Sequence, residues 1–231
     1  MFNLIKNNKL LFKNISYLAF FQIANYILPI LVFPYLIKVV GIEKFGIVSL
    51  AQAVALYLNV LIEYGFNFSA TRFISNNRDD KVLVNKTITS VITLKLIFFC
   101  LILLPYILII YFVPYLKTNA FLFASGFLIL LGMTFFPIWL FQGIEKLKYI
   151  TIANLIGKIV TILMIFVLIK VPEDYIYILL IYAAGSLITG LLGLFFINFY
   201  GFSFGKISIK DIKYHLQEGY SIFISSLGIN L

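Results

Sequence analysis

The sequence predicts an all-α integral membrane protein, a six-helix lobe followed by the start of a seventh helix. Three observations carry this. Of 231 residues, 62% are hydrophobic and 12% charged, and the mean hydropathy is +1.05, far more apolar material than the core of a water-soluble domain takes up. Six apolar runs each reach the ~20 residues that a helix needs to cross about 30 Å of hydrocarbon. Finally, Lys and Arg gather in alternate joints between those runs.

The spans are expected at about 15–37, 46–68, 88–113, 120–142, 150–170 and 176–199, after an N-terminal segment 1–14. The first follows Lys6, Lys9 and Lys13, as the core of a secretory signal would. It is too long for one, contains Gln22, Asn25, Pro29 and Pro34, and is closed by no small-x-small cleavage site, so it reads as a retained span. Turn-rich joints separate the spans: "GIEKFG" (41–46), "SNNRDDK" (75–81), "VPYLKTN" (113–119), "GIEKLK" (143–148) and "VPEDY" (171–175). Residues 200–218 form a linker in which "SFGKISIKDIKYHLQE" (203–218) has Ile209, Ile212 and Leu216 at helical spacing opposite Lys210 and Lys213. That pattern predicts a short basic amphipathic helix on the cytoplasmic face, or a solvated connector. The last run, 219–231, is too short to span and is expected to open a seventh helix in a longer protein or a truncated product. Ser221 and Asn230 repeat the separation of Ser16 and Asn25, which hints at a second lobe built like the first.

Twelve Lys and Arg fall in the joints on the N-terminal side and four on the other, while Lys95 and Lys158 lie inside spans. Positive charge stays on the cytoplasmic side, so the N-terminus is expected in the cytoplasm. The net charge of +9 is then a topology signal, and nucleic acid is excluded as a partner. Cys100 is alone in an apolar run and His215 is the only histidine, so neither a disulfide framework nor a multi-histidine metal site is available.

Polar residues fall in stripes. On span five, Thr151, Asn154, Lys158 and Thr161 follow at intervals of three, four and three, which places them on one helix face. Lys158 lies roughly 13 Å inside the membrane at 1.5 Å per residue. A charge at that depth costs about 2.5–3.5 kcal/mol even on permissive scales. It either bends to the headgroups, pairs with a distant carboxylate, or faces a water-filled cavity, and the stripe favours the cavity. Span two carries Ser49, Gln52, Asn59 and Glu63, and span one Gln22, Asn25 and Pro29. Three such faces enclose a hydrated interior, or else hydrogen-bond between helices. Lys95 has apolar helical neighbours and is expected to snorkel to the cytoplasmic edge, as a secondary site candidate. Glu63 is expected to pair with Arg72 or to bind a coupling ion. Gly185, Thr189 and Gly193, with Ser186 and Gly190, read as close helix packing. No nucleophile–histidine pair, phosphate-cradling loop or paired carboxylates occur, so the sequence points to transport, not to an enzyme, and implies no cofactor.

Three strings carry a resemblance: "FPYLIKVVGIEKFGIVSLAQA" (33–53), "EYGFNFSATRFIS" (63–75) and "PIWLFQGIEKLKYITIANLIGK" (137–158), followed by "VPEDYIY". They resemble the O-antigen flippases, in the polysaccharide-synthesis branch of the multidrug/oligosaccharidyl-lipid/polysaccharide exporter superfamily. The resemblance runs from about residue 10 to the end. It implies twelve helices in two six-helix lobes around a central cavity, both termini cytoplasmic, and alternating access driven by an ion gradient in the bacterial inner membrane. This chain departs from that pattern in carrying only the first lobe and the start of helix seven. The implied cargo is an oligosaccharide repeat unit on undecaprenyl pyrophosphate, with a polysaccharide polymerase and a chain-length regulator as further candidate partners. In that frame Lys158 attracts the pyrophosphate and Arg72 contacts phosphate at the cytoplasmic mouth. Asn154, Thr151, Gln22, Asn25, Asn59 and Gln52 complete the cavity candidates. Rival readings are a multidrug or cation antiporter, which would need more intramembrane carboxylates than Glu63, and a membrane-embedded polymerase or ligase, which would need larger outer loops. A non-transporting scaffold is the third.

Overall fold

Every regular element among residues 2–229, which the computed structural model describes, is helical. Residues 1, 230 and 231 lie outside the described residues, as do the side chains of 2–15, 18, 20, 21, 24, 28 and 225–229, and with them the lysines at 6, 9 and 13 and Asn230. Ten α-helices follow in chain order: α1 (Phe2–Val40), α2 (Ile42–Glu63), α3 (Phe66–Asn76), α4 (Lys81–Phe112), α5 (Pro114–Thr118), α6 (Ala120–Phe135), α7 (Ile138–Gly143), α8 (Leu147–Leu168), α9 (Ile178–Phe199) and α10 (Ile209–Ile229). A 3₁₀ turn, Pro172–Tyr177, leads into α9. Five stretches are long and apolar enough to cross a bilayer: Ile42–Glu63, Lys81–Phe112, Ala120–Gly143, Leu147–Leu168 and Pro172–Phe199. Within α1, Asn25–Val40 is a shorter apolar stretch. This is an all-α, multi-pass membrane protein.

Two helices break where the sequence reads one continuous span. α2 ends at Tyr64, which adopts a left-handed conformation (φ 44°), and Gly65 (φ 79°) then starts α3. Glycine is needed at 65 for a second reason: a Cβ there would lie 2.8 Å from the Gly219 carbonyl oxygen of α10. α6 ends before Pro137, which has no N–H to give to the Met133 carbonyl, and α7 restarts at Ile138. The α4 N-terminus is closed by Asp80, whose Oδ1 accepts from the backbone N–H groups of Val82 (2.9 Å) and Leu83 (3.0 Å).

The buried side chains form two clusters. One joins α1, α2, α4, α6, α8 and α9 through Leu36, Ala55, Phe99, Phe123, Ile165 and Ile178. The other joins α3, α4, α7 and α9 through Phe66, Ile74, Ile88, Trp139, Leu140 and Ile197. Inside lipid there is little hydrophobic gain from bringing helices together, so close packing and interhelical hydrogen bonds must hold them. α6 meets α9 where Gly132 abuts the Ser186 backbone, and the Ser186 hydroxyl donates to the Ile129 carbonyl at 2.8 Å. α8 meets α9 where Gly157 faces Thr189 and Gly185 faces Thr161.

The expected amphipathic helix is present but longer. α10 runs unbroken through the boundary expected near 218. Ile212 and Leu216 pack on the second cluster, while Ile209, the first residue of the expected stripe, is 83% exposed. His215 is buried beside the Phe73 ring, Arg72 pairs with Glu218 at 2.5 Å, and Tyr64 stacks on Phe223 with centroids 4.8 Å apart. The segment before it is pinned to α4: the Ser203 N–H donates to Asn85 Oδ1 (3.0 Å) and the Gly205 N–H to Thr89 Oγ1 (2.6 Å).

Candidate functional site

α1, α2, α6, α8 and α9, with the first turns of α3 and α7, line a partly open cavity of about 510 Å³. Asn154 and Lys158 reach it from α8, four residues apart and therefore on one face. The Lys158 ammonium donates to Asn25 Oδ1 of α1, a neutral amide. Among the described residues no carboxylate forms an ion pair with it, so any charge on this ammonium is uncompensated in the cavity wall. Asn154 Nδ2 donates back to the Ile150 carbonyl (3.0 Å). Gln52, Asn59 and Glu63 supply the polar side of α2.

Lys95 does not snorkel. It is fully buried and donates to Glu63 Oε1 at 2.9 Å and to the Met133 carbonyl oxygen at 3.1 Å. Both partners sit at helix breaks, Glu63 at the end of α2 and Met133 just before Pro137. The ammonium therefore offsets a carboxylate and adds a donor to a carbonyl that Pro137 cannot serve and that the Phe136 N–H meets only at 3.3 Å. Glu63 accordingly is not paired with Arg72, which is held instead by Glu218 on α10. Glu63 lines the cavity; Lys95 lies behind it.

Of the sequence-predicted residues, the fold brings Lys158, Asn154, Asn25, Asn59, Gln52 and Glu63 to the cavity. Gln22 is exposed and outside its lining. Thr151 is buried in the contact between α8 and α1, donating to the Tyr17 carbonyl at 3.1 Å. Arg72 is on α3, outside the lining, with most of its side chain exposed. Sequence reasoning missed Asn67 on α3 and Tyr182, Ser186 and Thr189 on α9, which also line the cavity. Asn67 continued the four-residue spacing of Asn59 and Glu63, a signal left unused. α9 read as packing alone, because its small residues serve packing and lining together. Three acceptor oxygens in this wall, Asn59 Oδ1, Glu63 Oε2 and Asn67 Oδ1, are buried without a hydrogen-bond donor.

The model of a family of polysaccharide biosynthesis proteins matches residues 11–231. The chain belongs to that family. A relative in Escherichia coli (strain K12), provisionally named an O-antigen transporter, is 34% identical over 230 residues, covering 98% of this chain and 55% of its own. A Shigella dysenteriae protein with the same provisional name is 31% identical over 216 residues, covering 92% of this chain and 54% of its own. This polysaccharide biosynthesis protein thus spans about half the length of the curated relatives it matches. No solved structure matches it. Both relatives carry the name of a transporter.

Proposed function

We propose that this chain forms the first lobe of a twelve-helix flippase. Its cargo is an oligosaccharide repeat unit of O-antigen or a similar surface polysaccharide, linked to undecaprenyl pyrophosphate. The cargo moves from the cytoplasmic to the periplasmic leaflet of the bacterial inner membrane by alternating access. The N-terminus and the 200–218 linker face the cytoplasm, and α10 opens the second lobe.

The observation that carries this reading is Lys158: an ammonium in a membrane cavity, held by an amide oxygen and by no carboxylate. Such a group attracts an anion, and a cavity lined by Asn25, Gln52, Asn59 and Asn154 offers sugar hydroxyls both donors and acceptors. A diphosphate-linked sugar has both parts, while its prenyl tail remains in lipid. The volume lies within the range of small-ligand sites, roughly 300–1,000 Å³. Arg72, beyond the cavity, is the proposed first phosphate contact, and Glu63 the proposed group for ion coupling. A cation antiporter fits less well, because Glu63 is the one carboxylate among the described residues that line the cavity.

The test is binding of undecaprenyl pyrophosphate bearing one glucose to the chain in lipid nanodiscs. Lys158→Met, which keeps length and removes charge, is expected to weaken binding at least about tenfold, with Lys158→Arg retaining most of it. Equal affinity of wild type and Lys158→Met overturns the reading.

A further inference from the structure

The two charged groups of the cavity wall face their surroundings differently. Lys158 presents an ammonium to the cavity from α8, steadied by Asn25. On α2, Glu63 lines the cavity while its partner Lys95 is wholly buried behind it, 2.9 Å away. The Glu63–Lys95 pair is therefore an oriented dipole with its negative end toward the cavity. Neighbouring Asn59 and Asn67 reinforce it: their Oδ1 atoms and Glu63 Oε2 are buried acceptors that no described residue serves with a donor. Each has almost no surface open to the cavity, and an unsatisfied buried acceptor is destabilising, so this wall gains when these side chains turn toward a ligand that brings donors.

We propose, resting on the flippase reading above, that the cavity is electrostatically bipolar and that its Glu63 wall selects the sugar. Diphosphate oxygens go to Lys158 and Asn25. The Asn59–Glu63–Asn67 wall takes a sugar rich in hydrogen-bond donors, either neutral with free hydroxyls or carrying an ammonium. A sugar bearing a carboxylate brings acceptors to acceptors and like charge to the cavity-side end of the dipole, and is rejected. Glu63, with Asn59 and Asn67, is thus a specificity-determining set for the class of cargo, and the accepted class is neutral and amino sugars as opposed to uronic acids.

Three probes separate the outcomes on the chain in nanodiscs: undecaprenyl pyrophosphate carrying a single glucose, glucosamine or glucuronate. The glucose and glucosamine lipids are expected to bind at least about tenfold more tightly than the glucuronate lipid. Methyl esterification of the glucuronate, which removes its charge and little else, is expected to recover most of the difference. The paired variant Glu63→Gln with Lys95→Gln removes the dipole without orphaning a charge. It is expected to bring the glucose and glucuronate affinities within about threefold of each other. Equal binding of glucose and glucuronate lipids by the wild type, or no gain on esterification, overturns the selectivity and leaves the flippase reading standing. Failure of all three lipids to bind overturns both. Should the paired variant not fold, the ester comparison decides alone.

Discussion

A lysine inside an apolar helix keeps its charge either by pairing or by meeting water, and Lys95 and Lys158 take one route each. Lys95 is sealed from solvent with Glu63 and the Met133 carbonyl, while Lys158 has an amide and an open cavity. Removing one partner of a buried ion pair leaves the other uncompensated, which costs about 3–5 kcal/mol, whereas replacing both by apolar groups is often neutral. Lys95→Met is therefore expected to lower unfolding stability in detergent by that amount, and Lys95→Met with Glu63→Met to restore most of it. Equal stability of Lys95→Met and wild type would show that the pair is dispensable. Lys158 was legible in the sequence because its partners on the stripe are three and four residues away. The Lys95 partner was not, since Glu63 lies 32 residues earlier on another helix and no local spacing connects them. Arg72, nine residues after Glu63, looked the nearer partner, but the break at Tyr64–Gly65 and the docking of α10 give it Glu218 instead.

At the scale of elements, α10 shows what periodicity reveals and what it hides. Of its expected apolar face, Ile212 and Leu216 pack against protein while Ile209 is exposed. What that face meets depends on α3 and α4, whose mutual placement is tertiary. The same holds for the breaks in α2 and α6, where hydrophobicity runs on without a pause and only Gly65 and Pro137 mark the sites. The docked face of α10 carries His215, 2% exposed, whose burial pushes its imidazole down to about 4, against the opposing pull of the Asp211 and Glu218 carboxylates. The folded protein thus prefers the neutral ring. Its contribution is complete above the ordinary histidine value near 6.5 and is lost progressively as pH falls from there toward 4, where the folded form also protonates. The full loss is roughly 3 kcal/mol by the usual conversion of a pKa shift to free energy. Amide hydrogen exchange along α10 in nanodiscs is expected to accelerate between pH 7 and pH 5 relative to α9, and His215→Phe to flatten that dependence. Exchange in α10 that is insensitive to pH would mean that the docked helix tolerates the charged ring.

For the whole molecule, the six apolar runs gave the helical membrane class directly, because a bilayer makes its demand on every residue of a span. The enclosure was only half written: polar faces on α1, α2 and α8 could be counted along the chain, but closing them into one cavity required α6 and α9 as walls. The consequence is an asymmetry across α8. Asn154 and Lys158 line the cavity, whereas Ile159 and Leu163 are 50% and 59% exposed on the outside of the bundle, where lipid covers an apolar surface. A thiol reacts with a charged, water-soluble thiosulfonate only where water allows the thiolate to form. In a Cys100→Ser background, Asn154→Cys is therefore expected to be labelled in intact nanodiscs. Ile159→Cys lies one residue from Lys158 and so at nearly the same depth, and it should stay unlabelled, as should Leu163→Cys. Ile159 lies about 7.5 Å along α8 from Asn154, so Ile156→Cys, at a 40% exposed position only about 3 Å along the axis, is the depth-matched control and should also stay unlabelled. Labelling of Asn154→Cys should be slowed when undecaprenyl pyrophosphate bearing glucose is added, since the same space would then be filled. An unreactive Asn154→Cys would mean that the helices close on a dry interior, and Lys158 would then have no aqueous route to an anionic headgroup.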